Sequence, residues 1–259
     1  MVTSRDLEQI PRLSPTSRLI QKVPEATAIF WIVKVLTTGM GETTSDYLAH
    51  HVDPPIAVGI AGAGLVAALL LQLVLRRYVP WIYWLAVVMV SVFGTMAADV
   101  LHVVLGVPYA VSTAFFVLVL AAVFATWYAS EKTLSIHSIF TRRREVFYWA
   151  TVMATFALGT AAGDLTATTM RLGYLASAGL FAVLIAIPAL AYWKLRVNGI
   201  LAFWLAYIVT RPLGASVADW MGLPVSRGGL DWGTGTVSLG LTIIIAVFVG
   251  YLTIKARRD

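Results

Sequence analysis

The chain has 259 residues, 59% of them hydrophobic and 12% charged, with a formal net charge of +6, a mean hydropathy of +0.82 and no cysteine. Soluble domains hold about 25% charged residues, so this composition excludes a sizeable soluble domain and points to an all-α integral membrane protein. Without cysteine there are no disulfides, thiolate metal sites or catalytic thiols.

Residues 1–24, which begin MVTSRDLEQIPRLSPTSRLIQK, are polar and basic and lack the apolar core of a secretory signal. They read as a cytoplasmic tail. Eight apolar spans follow, at approximately 26–48, 56–75, 80–102, 110–129, 146–166, 172–193, 199–221 and 234–254. Each is close to the ~20 residues that cross a bilayer core. The first contains Trp31, Lys34, Glu42 and Asp46 and is followed by His50, His51 and Asp53. The third carries Asp99 and His102, the fifth Asp164, and the seventh Arg211, Pro212 and Asp219. Even-numbered spans such as VSTAFFVLVLAAVFATWYA hold no acid and read as lipid-facing or packing helices, leaving the odd spans for an inner ring. Between spans four and five lies a basic loop, 131–145, and before span eight a glycine-rich loop, SRGGLDWGTGTVS, expected to be a flexible outer lid or turn.

One side of these connections collects Arg5, Arg12, Arg18, Lys22, Arg76, Arg77, Lys132, Arg142, Arg143, Arg144, Lys194, Arg196, Lys255, Arg257 and Arg258, which is 15 of the 19 basic residues. The other side has Arg171 and Arg227. Positive residues stay on the cytoplasmic face, so both termini are expected inside a multi-pass protein of the cell (inner) membrane. The basic excess is then topology and contact with the lipid bilayer. No nucleic-acid partner is expected.

The odd spans align with one another. They read WIVKVLTTGMGETTSD from Trp31 to Asp46, WLAVVMVSVFGTMAAD from Trp84 to Asp99, WATVMATFALGTAAGD from Trp149 to Asp164, and WLAYIVTRPLGASVAD from Trp204 to Asp219. All four fit Trp-x9-Gly-x4-Asp, an internal repeat. The units are 25–78, 79–130, 146–198 and 199–259. Two helices per unit give every copy the same orientation, hence parallel repeats around an axis along the membrane normal. The expected fold is eight transmembrane helices in a pseudo-fourfold arrangement. This pattern resembles a family of bacterial membrane proteins known by a repeat of unknown function, number 347, over residues 25 to 255. The resemblance implies eight helices and a bacterial or archaeal cell membrane. It implies no activity.

At 1.5 Å per residue the Trp lies about 22 Å from the Asp of its repeat. Trp31, Trp84, Trp149 and Trp204 follow cytoplasmic connections and are expected to anchor at the headgroup boundary. Gly41, Gly94, Gly159 and Gly214 fall near mid-membrane and let helices approach closely. Asp46, Asp99, Asp164 and Asp219 sit at matching depth on the outer side. Acids in membrane segments usually face a cavity or pathway, so an ion-binding ring with Glu42 is expected; capping of neighbouring helix ends is the competing role. One turn back from each Asp stand Glu42, Thr95, Thr160 and Ala215.

His50 and His102 add imidazole to carboxylate, a set suited to a transition metal, and place the expected metal site toward the first two repeats. Lys34 is expected to snorkel to the cytoplasmic surface. Arg211 precedes Pro212, so span seven should kink or open near 208–212. Arg211 would neutralise Glu42 or Asp46, as a tethered surrogate cation or as a static ion pair.

Absent are HExxH, GxSxG and Walker-type motifs, so an enzyme is not expected. The first expectation is a carrier of a small cation coupled to protons, with divalent Mn, Co, Ni or Zn as substrate and no covalent cofactor. A cation channel, or a structural or partner-binding membrane protein whose acids pack and cap, are the alternatives. The oligomeric state is open.

Overall fold

The computed structural model describes residues 21–256. Most of the expected 1–24 tail, and Arg257 and Arg258, lie outside the described residues. Eight long helices account for the spans: α1 Ala28–His51, α2 Pro54–Val74, α3 Pro80–Asp99, α4 Tyr109–Glu131, α5 Arg142–Asp164, α6 Tyr174–Leu195, α7 Gly199–Gly222 and α8 Thr234–Lys255. No strand occurs among the described residues. Helix starts follow local chemistry. Thr27, Thr141 and Asn198 cap α1, α5 and α7 by accepting backbone N–H bonds, and prolines open α2 and α3, where a missing N–H costs nothing.

Seven helices are long and apolar enough to cross a membrane. The exception, α1, is the one that holds Lys34, Glu42 and Asp46. Helix α5 begins earlier than expected, so the last residues of the basic 131–145 loop form its first turn.

Hydropathy separates two classes. Mean hydropathy of the crossing stretch is 2.1 to 2.3 in α2, α4, α6 and α8, but 1.3 to 1.9 in α3, α5 and α7. Burial divides the same way: 22–28% of that stretch in the first class against 56–72% in the second. The less apolar helices are therefore the inner ones, where polar groups find partners rather than lipid. Helix α1 packs on α3 and α7, and α5 packs on the same two, closing an inner circuit. Three outer helices pack chiefly on the inner helix that follows in sequence, α2 on α3, α4 on α5 and α6 on α7, while α8 returns to pack on α1.

The repeat glycines explain the close inner contacts. A Cβ on Gly41 would meet Ser91, one on Gly94 would meet Phe156, one on Gly159 would meet Arg211, and one on Gly214 would meet Thr38. Each glycine thus receives the residue eight positions before the next repeat's Asp, and the fourth receives that of the first. Small residues at helix crossings allow such approach.

Tryptophan is the first correction. Trp84, Trp149 and Trp204 are 2%, 5% and 4% exposed, so they are not displayed to headgroups. The residue preceding each repeat Trp is also aromatic and packs on the Trp of the next repeat. The pairs are Phe30–Trp84 at 5.7 Å, Tyr83–Trp149 at 5.6 Å, Tyr148–Trp204 at 6.2 Å and Phe203–Trp31 at 5.4 Å between ring centroids. Aromatic area buried between inner helices outweighs what an indole gains at a lipid interface. Trp31 alone is half-exposed. The expected opening of helix α7 is the second correction. The helix runs unbroken through Pro212 from Gly199 to Gly222 and does not open at 208–212.

The segment before α1 is pinned at the basic end. Lys22 N–H donates to Ile139 O and Tyr78 N–H to Gln21 O. The Lys22 ammonium meets the buried Glu145 carboxylate at 2.5 Å, and Gln72 Nε2 donates to the same group at 3.0 Å.

Candidate functional site

A cavity of about 410 Å³ lies at the end of the bundle opposite this staple. Its walls include Glu42, Asp46, Asp99, Asp164 and Asp219, so all five membrane carboxylates meet one space. Each Asp sits near the C-terminal end of an inner helix, one per repeat. Asp219 is buried and the other three are half-buried. Exposed His50, Pro54, Val104 and Arg227 form the rim, while buried Glu42 and Ser45 lie deeper.

Arg227 reaches the rim because the loop after α7 folds back. Leu230, Asp231 and Trp232 N–H groups bond to Trp220, Leu223 and Met221 carbonyls at 2.7, 2.9 and 3.1 Å. Gly228, Asp231 and Gly233 adopt positive φ angles in it, which glycine does without strain. The loop is a pinned turn rather than a free lid.

Below the aspartates the axis is closed by Arg211. Its side chain has no solvent exposure, and its Nη2 donates to Glu42 on α1, Thr95 on α3 and, at 2.8 Å, Thr160 on α5. Nη1 donates to the Thr38 carbonyl at 3.3 Å. Glu42, Thr95 and Thr160 are the residues one turn before three of the four repeat aspartates. One guanidinium on α7 therefore ties together all four inner helices. The Cβ and Cγ of Arg211 lie against Gly159, which is why no side chain fits there.

Lys34 is the third correction. It is 0% exposed and does not snorkel. Its Nζ has no hydrogen-bond partner and sits 4.0 Å from the Phe156 ring centroid and 4.4 Å from that of Tyr207. The rings supply cation–π attraction and enclose the ammonium away from water. Next along the axis, the Tyr83 and Tyr148 hydroxyls share a 2.5 Å bond among fully buried rings.

The metal expectation shifts by one repeat. Asp99, His102 and Asp164 offer ligand atoms that lie within 4.8 Å of one another, whereas His50 is absent from this group. His50 Nδ1 instead bonds the Asp46 carbonyl at 2.7 Å, and His51 stacks on Tyr47. His102 lies in the π-helical turn Val100–Val104 that ends α3, and a second such turn, Leu165–Thr169, ends α5 just past Asp164. Wide turns of this kind recur at functional sites. The first and fourth inner helices end without one.

A model of the family described as Repeat of Unknown Function (DUF347) matches residues 29–78, 82–133, 147–198 and 202–258. The chain belongs to this family. Each matched segment of this DUF347 protein contains one Trp–Gly–Asp set, and each contributes one aspartate to the cavity. No curated protein and no solved structure matches it.

Several site residues carried no weight in the sequence. Tyr109 and Tyr174 line the cavity from the first positions of α4 and α6. Both stand ten residues after a repeat aspartate, Asp99 and Asp164, a shared spacing that could have exposed them. Arg227 and Ser45 had no such signal.

Proposed function

We propose that the chain carries a small cation across the membrane in exchange for protons, with a divalent metal as substrate. The convergence of all five membrane carboxylates on one cavity carries this reading. Crowded acids in a low-dielectric site do not all stay ionised without counter-charge, so a cation and protons compete for the same oxygens. Arg211 acts as the tethered counter-charge on Glu42 from below. Imidazole beside carboxylate suits Mn, Co, Ni or Zn.

The axis beneath the cavity is filled by Arg211, Lys34 and the tyrosines, which favours a carrier that changes shape over an open pore. The glycine and tryptophan contacts run from each repeat to the next and from the fourth to the first, in support of a pseudo-fourfold bundle. The charge bias of the connections supports cytoplasmic termini in a bacterial inner membrane, with the cavity opening outward. One observation favours a structural role instead: the bonds of Arg211 to three other helices equally suit a static clasp.

Reconstitution into liposomes carrying a metal-sensitive and a pH-sensitive dye separates the two. Influx of Mn, Co, Ni or Zn with opposing proton flow, lost in an Asp46→Asn/Asp219→Asn variant that still elutes as a folded protein, is the expected result. Folded protein that moves no cation returns the acids to packing.

A further inference from the structure

We infer that Asp99, His102 and Asp164 form one transition-metal site, with Ser112 holding the imidazole in its metal-binding tautomer. The inference deepens the carrier reading and relies on it only for what becomes of the ion once bound.

Two acids alone would not make a site. The second observation is His102. Its side chain is 2% exposed, and its Nδ1 has no hydrogen-bond partner. That nitrogen lies 3.8 Å from Asp164 Oδ2, too far for a hydrogen bond and close enough to share a ligand. The other nitrogen, Nε2, is 2.6 Å from Ser112 Oγ. Ser112 stands in the first turn of α4, and its hydroxyl donates to the Tyr109 carbonyl at 3.0 Å. A hydroxyl has one proton. In the proposed tautomer that proton lies on the Tyr109 carbonyl, Nε2–H donates to Ser112, and Nδ1 is left as a bare lone pair facing two carboxylates.

A buried lone pair opposite anionic oxygen is unfavourable unless a cation lies between. Donation from the far nitrogen to a fixed oxygen is also how metal-bound histidines are oriented. Asp99 and Asp164 line the cavity, so an ion entering by the rim reaches their oxygens first. His102 is not among the lining side chains and approaches from within the wall. Tyr109 packs on the ring with centroids 4.4 Å apart and holds it there. The wide turn at Val100–Val104 sets His102 in place after Asp99. Two carboxylates and one neutral imidazole balance a dication. The nitrogen selects Mn, Fe, Co, Ni or Zn over Mg and Ca, which prefer oxygen alone.

The test is titration of the detergent-purified full chain with Co(II), followed by its visible absorption band, with Zn(II) and Mg(II) as competitors. Zn(II) should displace Co(II), and Mg(II) in excess should not. His102→Ala should lose the band and weaken Co(II) binding beyond the roughly 100-fold limit of outer-shell changes. Ser112→Ala should weaken it about 10-fold and shift the band, because the ring loses its orientation. Ser112→Thr keeps the hydroxyl and should restore both. His137→Ala, in the distant α4–α5 loop, should change nothing.

If His102→Ala does not elute as a folded protein, the Ser112 pair decides, and wild-type affinity and band in Ser112→Ala overturn the inference. An unchanged Co(II) band in folded His102→Ala overturns it while leaving the carrier reading intact. So does cation flux without any Co(II) binding. Absence of both binding and flux overturns both.

Discussion

Arg211 on α7 donates to Glu42 on α1 from a position without solvent exposure, and the same guanidinium reaches Thr95 on α3 and Thr160 on α5. Four inner helices therefore share one charge. Replacing either member of a buried pair strands the other, at a cost of about 3–5 kcal/mol. Arg211→Met should lower the unfolding midpoint of the detergent-solubilised protein accordingly. Arg211→Lys should recover only part of the loss, since three N–H donors on one nitrogen face four acceptors that the guanidinium meets through two.

The glycines give a paired prediction. A methyl on Gly214 would sit 1.8 Å from Thr38 Oγ1 and 2.7 Å from the Val35 carbonyl, whereas one on Gly250 meets nothing within 4 Å. Gly214→Ala should cost about 1–3 kcal/mol through overpacking. Gly250→Ala should be neutral or stabilising by up to about 1 kcal/mol, because alanine is the better helix former. Thermal unfolding of the two variants side by side measures the contrast.

Lys34 is held against its own stability. Its Nζ is buried without a partner, and only the faces of Phe156 and Tyr207 attend it. Leaving a buried donor unsatisfied costs about 1–3 kcal/mol, and more for a charged group, while cation–π contact returns about 2 kcal/mol at best. Lys34→Met should raise the unfolding midpoint. If the residue serves transport, the same variant should lose flux in liposomes, the trade expected of a strained functional group.

At the basic end, Lys22 and Glu145 form a buried pair with Gln72 beside them. Glu145→Leu and Lys22→Met should each destabilise by about 3–5 kcal/mol, and the double variant should recover most of the loss. A double-mutant cycle read by chemical denaturation gives the coupling.

The aspartate at a fixed depth in each repeat was legible from the Trp-x9-Gly-x4-Asp spacing, and the five acids do share one cavity. The tryptophans differ from what their position implies. A Trp about 22 Å along the helix from an acid falls at the bilayer edge, where anchoring is its usual role. The pairs Phe30-Trp31, Tyr83-Trp84, Tyr148-Trp149 and Phe203-Trp204 were in view, yet an aromatic doublet does not say which helix it faces. Lys34 was misjudged for a related reason: distance from the span's end fixes depth, not direction. Helix pairing was out of reach too. A span that is apolar all round has no face that marks its neighbour, so nothing in α2 announces that it leans on α3 rather than α1. His102 stands beside Asp99 in the sequence, but its link to Asp164 crosses repeats that only the folded chain brings together.

The closure of the circuit by α8 on α1 bears on how the protein is made. Among the described helices, the earliest in the chain is the one that does not meet the hydropathy expected of a crossing segment, and Glu42 waits 169 residues for Arg211. Until then α1 has no settled home in the bilayer. Synthesis halted before α7 should leave Glu42 without its guanidinium and yield a product open to quality-control proteases.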